Sequence, residues 1–176
     1  MKASGDALSA GDLDLGVAYK PDTQHALRFE PLYNEELVLV VAQGHPLGRR
    51  KRIRMIELHQ EPLILLPKSF STRRLLDECF AAAGAQPNVI AEMNTVAAML
   101  SVVAKVHAGT LVAAYAVRAG TDFQLVALES PTPVRTPGLL FNDSQPMSKA
   151  VRAFAALLRR TATATAARKR ADPQLR

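Results

Sequence analysis

A single cysteine, Cys79, stands in the 176 residues, which removes any internal disulfide and fits a reducing compartment. Long apolar runs are missing as well. The longest, Leu37 to Ala42 and Leu63 to Pro67, have strand length and fall far short of a membrane-spanning helix. The N-terminus shows no charged start, apolar centre and small-residue cleavage site, so export is not expected and a cytoplasmic location is. No glycine run has the Walker or dinucleotide spacing, which excludes those phosphate loops. The four histidines, His25, His45, His59 and His107, lack metal-ligand spacing. No Ser/His/Asp set can be assembled. No catalytic residue, metal or cofactor is therefore expected, and the chain does not read as an enzyme.

What is present is ordinary globular material, 48% apolar and 22% charged, long enough to bury a core of one domain or one and a half. The net charge of +6 invites a nucleic-acid reading. Much of it sits in two runs. Arg49, Arg50, Lys51, Arg52 and Arg54 lie between a strand and a short apolar stretch and are expected to be a solvated loop. Arg159, Arg160, Arg168, Lys169, Arg170 and Arg176 follow the last apolar helix, within TATATAARKRADPQLR. Residues 162–176 are predicted to be a disordered, solubilising basic tail. No Phe, Tyr or Trp interleaves either run, so the stacking platforms of a single-strand binder are absent.

Along the chain, short apolar runs alternate with helical stripes. Asp14 to Tyr19 reads as a strand closed by a Pro21-Asp22 turn, and Phe29 to Tyr33 leads into Glu36 to Ala42, a Val/Leu run suited to burial on both faces. Met55 to His59 makes one helical turn and Leu63 to Leu66 another strand. Ser69 or Ser71 is expected to cap a helix with Leu75, Leu76, Cys79, Phe80 and Ala83 on one stripe, stopped by Gly84. Val89 to Met93 alternates as a strand, and Asn94 caps a helix carrying Val96, Met99, Leu100 and Val103. Leu111 to Val117, Phe123 to Leu128 and Gly138 to Phe141 are further strands. Ser148 then caps a helix with Val151, Phe154, Ala155 and Leu158 facing inward. This alternation means βαβ units and a mostly parallel sheet.

Three segments carry a family resemblance: GDLDLGVAY (11–19), FEPLYNEELVLVVAQGHPL (29–47) and EPLILLPKSFSTRRLLDECFAAAG (61–84). Together they resemble the effector-sensing domain of LysR-type transcriptional regulators, an α/β, two-lobed fold of the periplasmic-binding-protein (type II) kind. The resemblance covers about Leu8 to Arg160. It implies lobe one from residues 1–33 and 134–161, and a complete lobe two from 34–133. It also implies that the winged helix-turn-helix and the first strand–helix–strand of lobe one are missing, since only Met1 to Ala10 precede the first segment. Lobe one is thus expected to be incomplete, with an apolar edge at Leu15 to Ala18. DNA would be a partner only through the missing part. A homo-oligomer is left open, and no membrane is expected. The alternative is a stand-alone small-solute-binding protein of the same fold. The chain departs from the family around AKVHAGTLVAA (104–114): Val106 and His107 lie in the region of a usual glycine, and Ala113 stands where a proline is expected.

The candidate ligand-binding residues are Lys68, Ser69, Phe70, Ser71 and Thr72. They follow a buried strand and open a helix, where N–H groups and hydroxyls converge and the helix dipole favours an anion. The resemblance places the same loop on the effector cleft, with an organic anion as the expected small-molecule effector. Plain helix capping by Ser71 is the competing reading. Cys79 sits mid-helix on the apolar stripe and is expected to be a buried structural thiol. His45 belongs to the His-Pro-Leu turn typical of the family. Asp12 and Asp14, two apart at a strand start, are expected to serve a turn and a polar strand face.

Overall fold

The computed structural model describes residues 2–19, 27–118, 122–144 and 146–171. In chain order these form α1 (Lys2–Ala10), β1 (Gly16–Tyr19), β2 (Leu27–Pro31), β3 (Glu35–Ala42), β4 (Arg52–Arg54), β5 (Pro62–Leu65), α2 (Ser71–Ala83) and β6 (Asn88–Glu92). There follow α3 (Val96–Val103), β7 (Gly109–Ala113), β8 (Phe123–Glu129), β9 (Val134–Arg135), β10 (Pro137–Asn142) and α4 (Lys149–Ala171). Three-residue-per-turn helical turns cover Pro46–Arg49, Met55–Leu58 and Ala114–Ala116. The chain divides into two compact units, one from Met1–Glu35 with Arg135–Arg176 and one from Glu36–Val134.

The second unit is built on a seven-stranded sheet, ordered β4-β8-β3-β7-β5-β6, with β9 beside β3. The apolar run of β3 lies between β7 and β8, and strand alternation sends its side chains to two different cores. Leu37, Leu39 and Val41 join Leu76, Cys79 and Phe80 of α2 on one face. Val38 and Val40 join Met99 and Val103 of α3 on the other. The sheet is therefore a filled middle layer between helices. Parallel pairing holds for β4 with β8 and for β5 with both β6 and β7. It does not extend to β3, which runs antiparallel to both neighbours. Gly109 opens β7 at a crowded spot, since a Cβ there would stand 2.7 Å from Leu39 Cδ1. Gly84 ends α2 with φ +68, and its successor Ala85 donates back to the Phe80 carbonyl at 2.9 Å.

The first unit has a three-stranded sheet, β1-β10-β2, antiparallel throughout. Leu139 and Phe141 of β10 pack with Ala155 of α4 on one face, bordered by Leu15, Leu32, Met147, Val151 and Leu158. Leu8 of α1 is fully buried near Gly16 and Leu140, and Asn142 Nδ2 donates to its carbonyl at 3.0 Å. Ser148 caps α4 by accepting from the Val151 N–H at 3.2 Å. Arg159 donates to both carboxylate oxygens of Glu30, at 2.6 and 2.8 Å. That bond, opposed by burial, holds the Glu30 carboxyl below its ordinary pKa. Where the second unit begins, Glu35 is buried and bonded to Arg135, whose guanidinium lies 4.3 Å from the centre of the Tyr19 ring.

Several expectations need correction. α1 was not foreseen; among its described side chains Leu8 is the buried one. The first basic run is not all loop, because Arg52–Arg54 forms edge strand β4 with Ile53 buried and the arginines exposed. Charged side chains on an edge strand discourage a further strand from adding there. Phe154 does not face inward but is 52% exposed. α4 runs to Ala171, so residues 162–171 are helical rather than an unstructured tail. The strand expected over Leu111 to Val117 ends at Ala113 and turns at Ala114. The Pro21-Asp22 turn, His25 and residues 172–176, Arg176 among them, lie outside the described residues.

Candidate functional site

The parallel registers Leu65 to Glu92 and Leu63 to Gly109 bring the carboxyl ends of β5, β6 and β7 to one edge of the larger sheet. Such an edge is where open α/β sheets hold ligands, because the connecting loops and the starts of the following helices gather there. Lys68, Ser69 and Phe70 follow β5, Thr95 follows β6, and Tyr115 follows β7; all five are exposed, Phe70 to 38% and Tyr115 to 55%. Both α2 and α3 begin at this edge, so two helix N-termini and the Lys68 ammonium place positive potential there.

Local bonding shapes the loop. The Phe70 N–H donates to the Pro67 carbonyl at 3.0 Å, and the Phe70 carbonyl accepts from Arg73 and Arg74 at 3.0 and 3.2 Å. Phe70 is therefore the residue before the helix, and its side chain makes no cap bond. Ser71 is the first helical residue, so neither Ser69 nor Ser71 is the N-cap. The five candidates also separate by burial. Lys68, Ser69 and Phe70 are exposed, Ser71 is half-buried, and Thr72 is 6% exposed among the buried residues of α2. At the start of α3 the cap is Thr95, whose hydroxyl accepts from the Ala98 N–H at 3.2 Å; the expected cap, Asn94, lies one residue too early.

Arg73 is the residue that pattern reading missed. It is 4% exposed and ties three elements together. Its Nη1 donates to the Leu66 carbonyl at 2.9 Å and to Glu92 Oε1 at 2.6 Å, while its Nε donates to Asp77 at 2.9 Å. Burial pushes the guanidinium pKa down, but the bonds to Asp77 and Glu92 outweigh it and leave the pKa raised. Its charge is spent on holding the loop after β5 against the end of β6. The only sequence signal was an Asp four residues on, ordinary on any helix surface.

Other singled-out residues fall elsewhere. Cys79 is buried in the core under α2, and burial first, then Glu78, pushes its thiol pKa up. Asp12 and Asp14 are exposed, and the Asp12 N–H closes the end of α1 on the Ala7 carbonyl at 2.9 Å. Among the described residues, no group of three or more His, Cys, Asp or Glu side chains is placed to hold a metal ion. No described helix is long and apolar enough to cross a membrane.

The fold is thus two α/β units, the larger built on a mixed sheet whose strand ends collect loops and helix starts. A family model described as the LysR substrate binding domain matches residues 3–163. The chain belongs to that family. It is 31% identical over 162 residues to the HTH-type transcriptional regulator GalR of Pseudomonas putida, covering 89% of this chain and 41% of that protein. It is 31% identical over 160 residues to a probable hydrogen peroxide-inducible genes activator of Mycobacterium avium, covering 86% and 50%. The chain thus spans half or less of the length of these relatives. Among solved structures, the effector binding domain of QuiR in complex with shikimate superposes with a TM-score of 0.81 at 22% identity, over 93% of this chain and 78% of that one. The CcmR regulatory domain of Synechocystis PCC6803 in complex with 2-PG gives 0.81 at 17% identity, over 91% and 78%. These two likenesses show the periplasmic-binding-protein-like fold.

Proposed function

We propose that this chain is the effector-sensing part of a LysR-type transcriptional regulator acting in the cytoplasm. Its effector is a small organic anion received at the carboxyl ends of β5, β6 and β7. The observation that carries the proposal is the convergence of Lys68, Ser69 and two helix starts at one strand-end edge, with Arg73 holding the loop in place. A carboxylate there meets N–H and hydroxyl donors and an ammonium in a preset arrangement, and exposed Phe70 and Tyr115 offer apolar area to the rest of the molecule. Two domains of the same fold, solved in complex with shikimate and with 2-PG, support the choice of small anions.

Binding changes regulation only through a DNA-reading element, which these residues do not include in any recognisable form. By itself the chain retains duplex DNA weakly, without sequence preference, and releases it as salt rises. The proposal is tested on the full-length regulator with its cognate effector by calorimetry. Ser69→Ala is the cleanest probe, because Ser69 is exposed and caps nothing. A lost hydrogen bond to a charged ligand costs about 1.5–3 kcal/mol of binding with the melting temperature held. Thr72→Val is a second probe; because Thr72 is buried, it is read only if the variant melts normally. Normal effector binding by both variants would place the ligand elsewhere.

A further inference from the structure

His45, in the His45-Pro46-Leu47 turn, and His107, just before β7, are two histidines that the ligand site does not use. His45 is 6% exposed, and its ring stacks on that of His107 with centroids 4.3 Å apart and planes 22° from parallel. His45 Nδ1 accepts from the Leu47 N–H at 3.3 Å and so caps the Pro46–Arg49 turn. An acceptor nitrogen carries no proton, which puts the single proton of the neutral ring on Nε2. Nε2 is buried and has no hydrogen-bond partner among the described residues.

A second proton has only one place to go, Nδ1, where the Leu47 N–H already points. Protonation would turn an acceptor into a donor facing a donor and charge a buried ring stacked on another histidine. The charged side chains on the neighbouring elements are Arg49 and Arg50 on the turn itself, Lys105 and His107 before β7, Asp122 before β8, and Glu61 before β5. The charges that act on the ring are those of His107 and Glu61. We propose that the His45–His107 stack is an acid-triggered release: one proton on His45 Nδ1 uncaps the Pro46–Arg49 turn and frees it from the segment that enters β7.

The pKa of His45 is lowered from its ordinary 6.5, by burial first and by His107 second, against the opposing pull of Glu61. A lowered value in the closed state means that the open state takes the proton more readily. The closed turn is therefore fully stable above about pH 6.5 and loses stability as pH falls towards the closed-state pKa. Val41 pairs with Gly109, so the stack lies at the entry end of β7, at the opposite edge of the sheet from Lys68–Thr72. The release leaves the candidate ligand loop closed.

Amide hydrogen exchange on the intact chain, corrected for the intrinsic pH dependence of exchange, tests this. The Leu47 amide should open more readily by roughly tenfold for each pH unit crossed between the open-state and closed-state pKa values. The Gly48 amide, which donates to the His45 carbonyl at 3.0 Å, should follow it, while Arg73 and Arg74 amides stay protected. His45→Asn keeps a capping acceptor and removes the titration, so its Leu47 exchange should be flat with pH. His107→Gln should move the wild-type transition to higher pH, because a like charge is gone. Wild-type exchange that is flat with pH, or an equally steep response in His45→Asn, would overturn the proposal. So would a His45 ring proton titrating at or above the free-histidine value, a readout that does not depend on either variant folding.

Discussion

The unit of residues 36–134 buries apolar side chains on both faces of its sheet, with β3 feeding two cores at once. The unit of residues 1–35 and 135–176 has a core cluster of three buried residues, Leu139, Phe141 and Ala155. Charged and polar ties gather around that small core: Glu35 with Arg135, Glu30 with Arg159, Asn142 with the Leu8 carbonyl, and Arg28 with Asp143 at 2.9 Å. Area removed from water scales with free energy, so cohesion is concentrated in the larger unit. Apart from the buried Glu35–Arg135 pair, the ion pairs here are exposed or half-exposed and add little by comparison. The contrast also explains where the candidate site stands. It stands at the ends of β5 and β7, which are largely buried, beside the half-exposed edge strand β6, and packed strands hold side chains in fixed geometry better than a thin sheet does.

The sharpest way to break this comparison is Phe141→Ala, which removes the largest side chain of the small core. A cost of about 3–5 kcal/mol is expected. Hydrogen exchange should then rise across β1, β2 and β10 while β3 and β7 keep their protection. Equal loss in both units would show that they fold as one cooperative body and that the division of stability is wrong. Next in size is Arg73→Met, which fills similar space but leaves the Leu66 carbonyl and Glu92 without their donor. It should cost about 1.5–3 kcal/mol in urea denaturation, with nuclear magnetic resonance shifts spreading through residues 66–71 and 92–95. A silent substitution would remove the claim that Arg73 sets the loop. The smallest effect belongs to Arg159→Ala. Both partners of the Glu30 pair are partly exposed, and a loss of about 0.2–1 kcal/mol, shrinking with added salt, is expected in thermal melts.

How far residues announced their places follows the same physical divide. β3 was readable because burial on both faces leaves an unbroken Val/Leu run, and the Gly84 stop and Ser148 cap were readable because few residues do those jobs well. Asn94 and Thr95 are both competent caps, and only tertiary placement chose the second. The α4 extension shows two signals in conflict. The Ala/Thr segment lacks an apolar stripe, which argued for disorder, yet its alanines are strong helix formers and continue a helix already nucleated and capped. Phe154 kept helical spacing, but the thin sheet offers no surface on that flank of α4. β4 was hidden because a three-residue strand with one inward Ile53 resembles a charged loop. Of the ligand loop, its position after β5 was legible, whereas the inward turn of Thr72 and the ties of Arg73 to the Leu66 carbonyl and Glu92 depend on how β5, α2 and β6 fold together.

The central claim is that the carboxyl-end edge of β5, β6 and β7 receives a small organic anion. It is tested most directly by backbone amide shifts of the isotopically labelled chain titrated with a panel of small carboxylates, shikimate among them. The account predicts saturable shifts centred on residues 68–71 and 95–98, reduced in Ser69→Ala and unchanged by equal concentrations of chloride. Amides of that loop left unmoved by every member of the panel, or shifts confined to other parts of the chain, would contradict it.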